Sequence, residues 1–179
     1  LSEACYQGDQ PPFTLEVGEV TPANGQSYDL TDPQQKQALA VDGLRHFSAE
    51  LRQLVLSHDN GGLVGLGLIV PGYPNPARPG EARYSETAAL LTTAPVDFFD
   101  LRLDPSSDLS LAEYAENYGL TSRLNIPVLM GELATYTWSY PQVESAATAV
   151  QDWIAASCAY GFDGWLYARF SPSDELWSF

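Results

Sequence analysis

The sequence predicts an α/β protein built on a parallel sheet covered by helices. Three observations carry this: short apolar runs rich in Val, Ile and Leu, amphipathic stretches between them, and a strict alternation of the two along the chain. The run Ile126-Pro-Val-Leu-Met-Gly-Glu-Leu-Ala134 is the reference element, because it delivers a carboxylate, Glu132, just as the apolar sequence ends.

In chain order, Leu1 to Tyr6 reads as the tail of a first strand that begins without a turn or cap. A small surface hairpin at about 15–30 follows, with Val17–Val20 and Gln26–Leu30 flanking an Asn24-Gly25 turn. Asp32 is a good N-cap and Pro33 suits the first helical position. Apolar Val41, Leu44, Phe47, Leu51, Leu54 and Val55 then predict a long amphipathic helix to about His58. Gly62–Pro71 is a buried strand, followed by a Pro/Gly-rich loop through Gly80 and a shorter helix over Glu81–Leu91. Val96–Leu103 forms the next strand, and Ser110-Leu-Ala-Glu113 has the spacing of a capping box that opens a further helix. After Ile126–Leu133, Pro141 starts a helix with Val143, Ala146, Ala147, Val150, Trp153 and Ile154 on one face, and Gly161–Phe170 is the last strand.

Composition bounds the function. The 179 residues are 45% hydrophobic, a globular content for one domain, and no continuous apolar run has the length of a membrane span. Net charge is −15 and Lys36 is the only lysine, so a phosphate backbone is repelled and nucleic acid is excluded as a partner. Neutral, polyhydroxylated or cationic ligands remain open. Low pI and few lysines fit a secreted or extracytoplasmic protein. Cys5 and Cys158 either pair as one disulfide or are inert thiols. His46 and His58 lack neighbouring metal ligands in sequence and read as surface histidines, so no metal is expected. A Gly-x-Ser-x-Gly elbow and a phosphate-binding glycine loop are both missing from the sequence.

In a parallel α/β sheet, functional groups gather at the C-terminal strand ends. Those ends are Glu3, the Tyr73 loop, Arg102 with Asp104, Glu132, and Arg169. Two glutamates at one mouth could serve a glycosidic hydrolysis, one protonating the leaving oxygen and the other attacking the anomeric carbon or activating water. They could equally be solvated residues that follow strands. Tyr136, Trp138, Tyr140 and Trp177 supply flat rings on the same loops, either as sugar-stacking surfaces or as pins for the loops.

Met130-Gly-Glu-Leu-Ala134 resembles the strand-seven nucleophile motif of the glycoside hydrolase family 5, cellulase-like, (β/α)₈ barrels, and Leu1-Ser-Glu-Ala-Cys-Tyr6 resembles their strand-four motif. Val96–Pro105 and Gly161–Tyr167 fall where that family has its sixth and eighth strands. The resemblance implies strands four to eight of a TIM barrel, the C-terminal part of one catalytic-type domain over residues 1–179. The first three strands would come from a longer chain or a partner chain. It also implies retaining hydrolysis of β-glycosidic bonds in an oligo- or polysaccharide, with Glu3 as acid/base, Glu132 as nucleophile and no cofactor. Ser2, Arg102, Asp104, Tyr136, Trp138, Arg169 and Trp177 would contact substrate. Departures from the family lie at Ser2, in place of an asparagine that holds the sugar 2-hydroxyl, and at Arg102 and Asp104, in place of a His-x-Tyr pair. Ala168 stands near the position of a tryptophan that floors the central subsite. They point either to an unusual substrate or to a catalytically impaired barrel that binds carbohydrate or serves as a structural extracellular protein.

Overall fold

A computed structural model describes residues 15–69, 87–122, 125–133, 135–136, 138–167 and 176–177. The predicted first strand at Leu1–Tyr6, the end of the predicted strand at Val70–Pro71, the loop through Gly80 with Tyr73, the start of the predicted helix at Glu81–Glu86 and the end of the last predicted strand at Ala168–Phe170 lie outside the described residues.

A two-stranded antiparallel ribbon, β1 (Glu19–Val20) and β2 (Tyr28–Asp29), precedes the long helix α1 (Pro33–His58). The Asp32 carboxylate accepts the Gln34 N–H at 2.9 Å, capping α1 as the sequence predicts. Strand β3 (Gly65–Leu68), helix α2 (Thr87–Thr93), strand β4 (Phe98–Arg102) and helix α3 (Leu111–Tyr118) follow. Ser110 and Glu113 form the full reciprocal capping box at the start of α3, and Gly119 ends it at φ 79°, a conformation that an L side chain rarely adopts. Strand β5 (Val128–Leu133), strand β6 (Thr135–Tyr136), helix α4 (Val143–Ala156), strand β7 (Gly164–Tyr167) and strand β8 (Leu176–Trp177) complete the order.

Strands β3, β4, β5 and β7 form one parallel sheet in that sequential order, flanked by helices. The protein is therefore α/β. No reversal of order occurs along the sheet, and apolar side chains of the helices meet one of its faces. That face carries Leu66, Leu68, Phe99, Leu101, Val128 and Met130, which merge with Leu90, Leu91, Leu111, Tyr114, Tyr118 and Val150 of the helices into one core. The opposite face is different in kind. Register pairs Gly65 with Phe98, Gly67 with Asp100, Asp100 with Leu129 and Arg102 with Gly131, a surface in which glycines and charges are mixed with two apolar side chains.

The N-terminal end of the sheet is closed by one device used twice. Asp97 donates its N–H to the Val64 carbonyl at 2.8 Å and accepts the Val64 N–H on its carboxylate at 2.9 Å. Asp163 does the same with Val128, at 2.7 and 2.8 Å. Each aspartate thus extends the ladder by one rung at the start of a strand. Asp97 is also held by Arg52 of α1, whose Nη2 lies 2.8 Å from Oδ1, which ties the helix to the sheet.

The observed strands are shorter than the apolar runs predicted. Gly62–Val64 and Ile126–Pro127 lead into β3 and β5 ahead of the paired residues, and the Pro127 carbonyl already accepts the Phe99 N–H of the neighbouring strand at 2.9 Å. Helix α4 starts at Val143, after Pro141, with Gln142 at its N-cap. Trp165, Leu166 and Tyr167 are exposed on β7 rather than buried on both faces. Cys158 is an exposed free thiol, and Cys5 lies outside the described residues. Among the described residues, no helix is long and apolar enough to cross a membrane.

The Arg52 donors, then the Val64 N–H, hold the Asp97 carboxyl below the usual carboxylate range. Because its folded pKa is depressed, its stabilisation is present above the unfolded value near 4 and disappears as pH falls through the folded value. Asp97→Asn is expected to cost about 1–2 kcal/mol at neutral pH in denaturant titration. The deficit relative to the parent chain should stay constant down to about pH 5 and shrink below about pH 4.

Candidate active site

The C-terminal end of the sheet is where its regularity breaks. Strand β5 pairs with β7 at Met130–Trp165 and again at Leu133–Tyr167, so β5 spends one residue more than its neighbour between those rungs. This is a β-bulge, and it falls on Gly131–Glu132. Simple alternation from Val128 and Met130 would assign residue 132 to the helix face. The extra residue instead returns Leu133 to that face, where it is completely buried in the core. Glu132 therefore occupies a backbone position released from the alternation of its strand.

Close packing explains the residue before it. A β-carbon at Gly131 would overlap the Asp100 carboxylate, which reaches across from β4. Asp100 and Arg102 are alternate residues of β4 and share the non-helical face, and Arg102 pairs directly with Gly131. Arg102 is exposed at the strand end, its backbone carbonyl anchored by the Tyr118 hydroxyl at 2.7 Å. The same hydroxyl lies 3.1 Å from the Leu68 carbonyl, so one side chain of α3 joins the ends of β3 and β4. Burial raises the Tyr118 phenol well above its ordinary pKa and keeps it a neutral donor.

Past the strand ends, two loops are stitched together. The Asp104 carboxylate accepts the Ser106 N–H at 2.7 Å, forming an Asx turn. Burial raises the pKa of Asp104, and its hydrogen bonds to Ser106 oppose that shift. Ser106 Oγ accepts the Tyr136 N–H at 3.0 Å, and the Ser106 carbonyl accepts the Ser139 hydroxyl at 3.2 Å. The Tyr140 hydroxyl donates to the Pro105 carbonyl at 2.9 Å. Strand β6 also pairs antiparallel with β8, setting Thr135 against Trp177. On this base the rings of Tyr136 and Trp138 stack with centroids 4.1 Å apart and planes 13° from parallel.

Arg102, Asp104, the Glu132 backbone, Tyr136, Trp138 and the Trp177 backbone therefore share the C-terminal end of the sheet and its loops. Ser2, Glu3, Ala168 and Arg169 lie outside the described residues. The sequence reading overlooked Asp100 and Ser106. Asp100 is signalled as a charge between apolar Phe99 and Leu101, two residues before Arg102 on the same face. Ser106 is signalled by its place two residues after Asp104, the Asx-turn spacing. Among the described residues, no cluster of three His, Cys, Asp or Glu side chains could hold a metal ion.

No family model, curated protein or solved structure matches the chain.

Gly131→Ala is expected to destabilise the protein by about 1–3 kcal/mol, because the added methyl displaces the Asp100 carboxylate. In an Asp100→Ala background the same change should cost markedly less, and a double-mutant cycle in denaturant measures the coupling. Additive losses would separate the two residues.

Proposed function

We propose that this chain is a retaining glycoside hydrolase acting on β-glycosidic bonds of an oligo- or polysaccharide, with Glu132 as nucleophile. The observation that carries the reading is the bulge at Gly131–Glu132, at the C-terminal end of a sequentially ordered parallel sheet. Bulges beside active sites re-aim a side chain, and strand C-termini are where α/β sheets keep their catalytic groups. The proposal extends to architecture: β3, β4, β5 and β7 would be strands five to eight of a (β/α)₈ barrel, and Leu1–Tyr6 its strand four. Strand order without reversal supports a barrel over a doubly wound sheet. A longer chain or a partner chain would supply the remaining strands.

In this reading Glu3 protonates the glycosidic oxygen as Glu132 attacks the anomeric carbon; the leaving sugar departs and a glycosyl ester remains on Glu132. Glu3, now a carboxylate, takes a proton from water, whose oxygen attacks the same carbon and frees Glu132. Two displacements return the original anomeric configuration. Arg102, which ends β4 beside Gly131, supplies positive charge near the nucleophile and favours its ionised form. The acidic composition fits a neutral substrate and a secreted or extracytoplasmic setting.

A second reading, a barrel that binds carbohydrate without cleaving it, is favoured by Asp104. Its carboxylate builds a turn with Ser106. That is a structural duty at a position where the resembled family carries a supporting side chain.

Turnover of aryl β-glycosides separates the two. The parent protein, together with the strands that complete the barrel, is expected to release the aryl group, and Glu132→Gln to lower kcat by several orders of magnitude while the thermal midpoint stays close to that of the parent. Sugar binding without turnover in the parent would favour the second reading.

A further inference from the structure

The dipeptide Asn-Gly occurs twice in the chain, at Asn24-Gly25 and at Asn60-Gly61, and both asparagines stand in turns. Glycine puts no β-carbon in the way of its own amide nitrogen, so that nitrogen can reach the side-chain amide of the asparagine before it. The two nitrogens are held alike. The Gly25 N–H donates to the Pro22 carbonyl at 2.9 Å, and the Gly61 N–H to Asp59 Oδ1 at 3.0 Å. The two side chains are not. Asn24 is half-buried: its Nδ2 donates to the Tyr28 hydroxyl at 2.8 Å and its Oδ1 accepts the Gln26 N–H at 3.0 Å. Tyr28 is itself buried and donates to Asp42 Oδ2 at 3.0 Å, which fixes the acceptor that Asn24 uses. Asn60 is exposed, and its side chain makes no hydrogen bond among the described residues.

We propose that Asn60 is a site of spontaneous deamidation and isoaspartate formation, and that the Tyr28 hydroxyl shields Asn24 from the same reaction. The Gly61 nitrogen, its proton taken by hydroxide, attacks Asn60 Cγ. The new C–N bond closes a five-membered succinimide, and the side-chain nitrogen takes a proton from water and leaves as ammonia. Water then adds to one of the two imide carbonyls and breaks that carbonyl's bond to nitrogen. Opening at Cγ leaves an aspartyl residue; opening at the main-chain carbonyl leaves an isoaspartyl residue, whose backbone runs through the former side chain. At Asn24 the same attack requires the side chain to rotate out of two hydrogen bonds, which the folded hairpin opposes.

The position gives the modification a structural effect. Residues 59–62 join α1 to β3: the Asp59 N–H reaches back to the Val55 carbonyl at 2.8 Å, and the Gly62 N–H to the Asp59 carbonyl at 3.1 Å. Space is short, since a β-carbon at Gly62 would meet the Val55 side chain at 2.7 Å. An isoaspartyl linkage lengthens the main chain by one carbon inside this turn. Either product also sets a new carboxylate near the C-terminal end of α1, where the helix carbonyls already concentrate negative charge. Two residues beyond Gly62, Val64 enters the clamp with Asp97 and Arg52. Deamidation therefore strikes the joint between the first helix and the sheet.

The test is peptide mapping by mass spectrometry during incubation in mildly alkaline buffer, with the folded chain and a denaturant-unfolded sample side by side. Unfolded, the two Asn-Gly sites should convert at similar rates. Folded, Asn60 should stay near its unfolded rate while Asn24 converts about tenfold more slowly or less. The product at position 60 should include isoaspartate, recognised by its resistance to a protease that cuts before aspartate, and the aged chain should have a lower thermal midpoint than Asn60→Ser aged in parallel. Tyr28→Phe should raise the Asn24 rate and leave Asn60 unchanged, with near-UV circular dichroism showing an intact fold. Equal rates at the two sites in the folded chain, or protection of Asn60 as strong as that of Asn24, would overturn the proposal. An Asn24 rate unmoved by Tyr28→Phe would overturn the shielding role of the hydroxyl.

Discussion

Strand β5 has no room for a β-carbon at Gly131, because the Asp100 carboxylate of β4 already occupies that space. This close approach sits at the end of the parallel ladder, where β5 also inserts its extra residue. The two facts act together. Leu133 is completely buried against the helices and must return to that face. The bulge reconciles that requirement with the backbone position of Glu132 by taking one residue out of alternation. Without it, a strict period of two would commit residue 132 to the layer occupied by Val128 and Met130.

The two ends of the sheet are built for different purposes. At the N-terminal end, Asp97 and Asp163 continue the ladder with carboxylate and backbone together, and Arg52 binds α1 to the same point. These contacts hold strands in register. At the C-terminal end, Tyr118 satisfies the carbonyls of Leu68 and Arg102, and serines and tyrosines knit the loops after β4 and β5. That polar weave gives irregular backbone the partners it needs while leaving Trp138 in the open. Separating scaffold from chemistry in this way is what α/β sheets do generally, and it underlies the proposal of a hydrolase at this rim.

The parallel sheet was legible because its strands are apolar runs separated by amphipathic helices, and α1 and α3 announced themselves through Asp32-Pro33 and the Ser110–Glu113 box. Strand limits were less so. Leu63 and Ile126 are as apolar as the paired residues that follow them, and only the neighbouring strand decides where pairing begins. The bulge was hidden for a related reason: Val128-Leu-Met offers no polar contrast from which parity can be read. The short pair β6 and β8 is beneath any periodicity, because two residues carry no pattern. At the rim, Arg102 and Asp104 are legible at a strand end, and Tyr136 and Trp138 as rings that follow one, whereas Ser106 gains its importance from two contacts across space, to Tyr136 and Ser139.

Mass spectrometry after incubation with an activated 2-deoxy-2-fluoro β-glycoside tests the central claim most directly. The fluorine slows the second displacement more than the first when a good leaving group is present, so a retaining nucleophile accumulates as its glycosyl ester. The account predicts a mass increase of one fluoroglycosyl group, mapped to the peptide that contains Glu132 and absent from Glu132→Gln. An adduct on another residue, or an unmodified folded protein across a panel of fluorosugars, would contradict it.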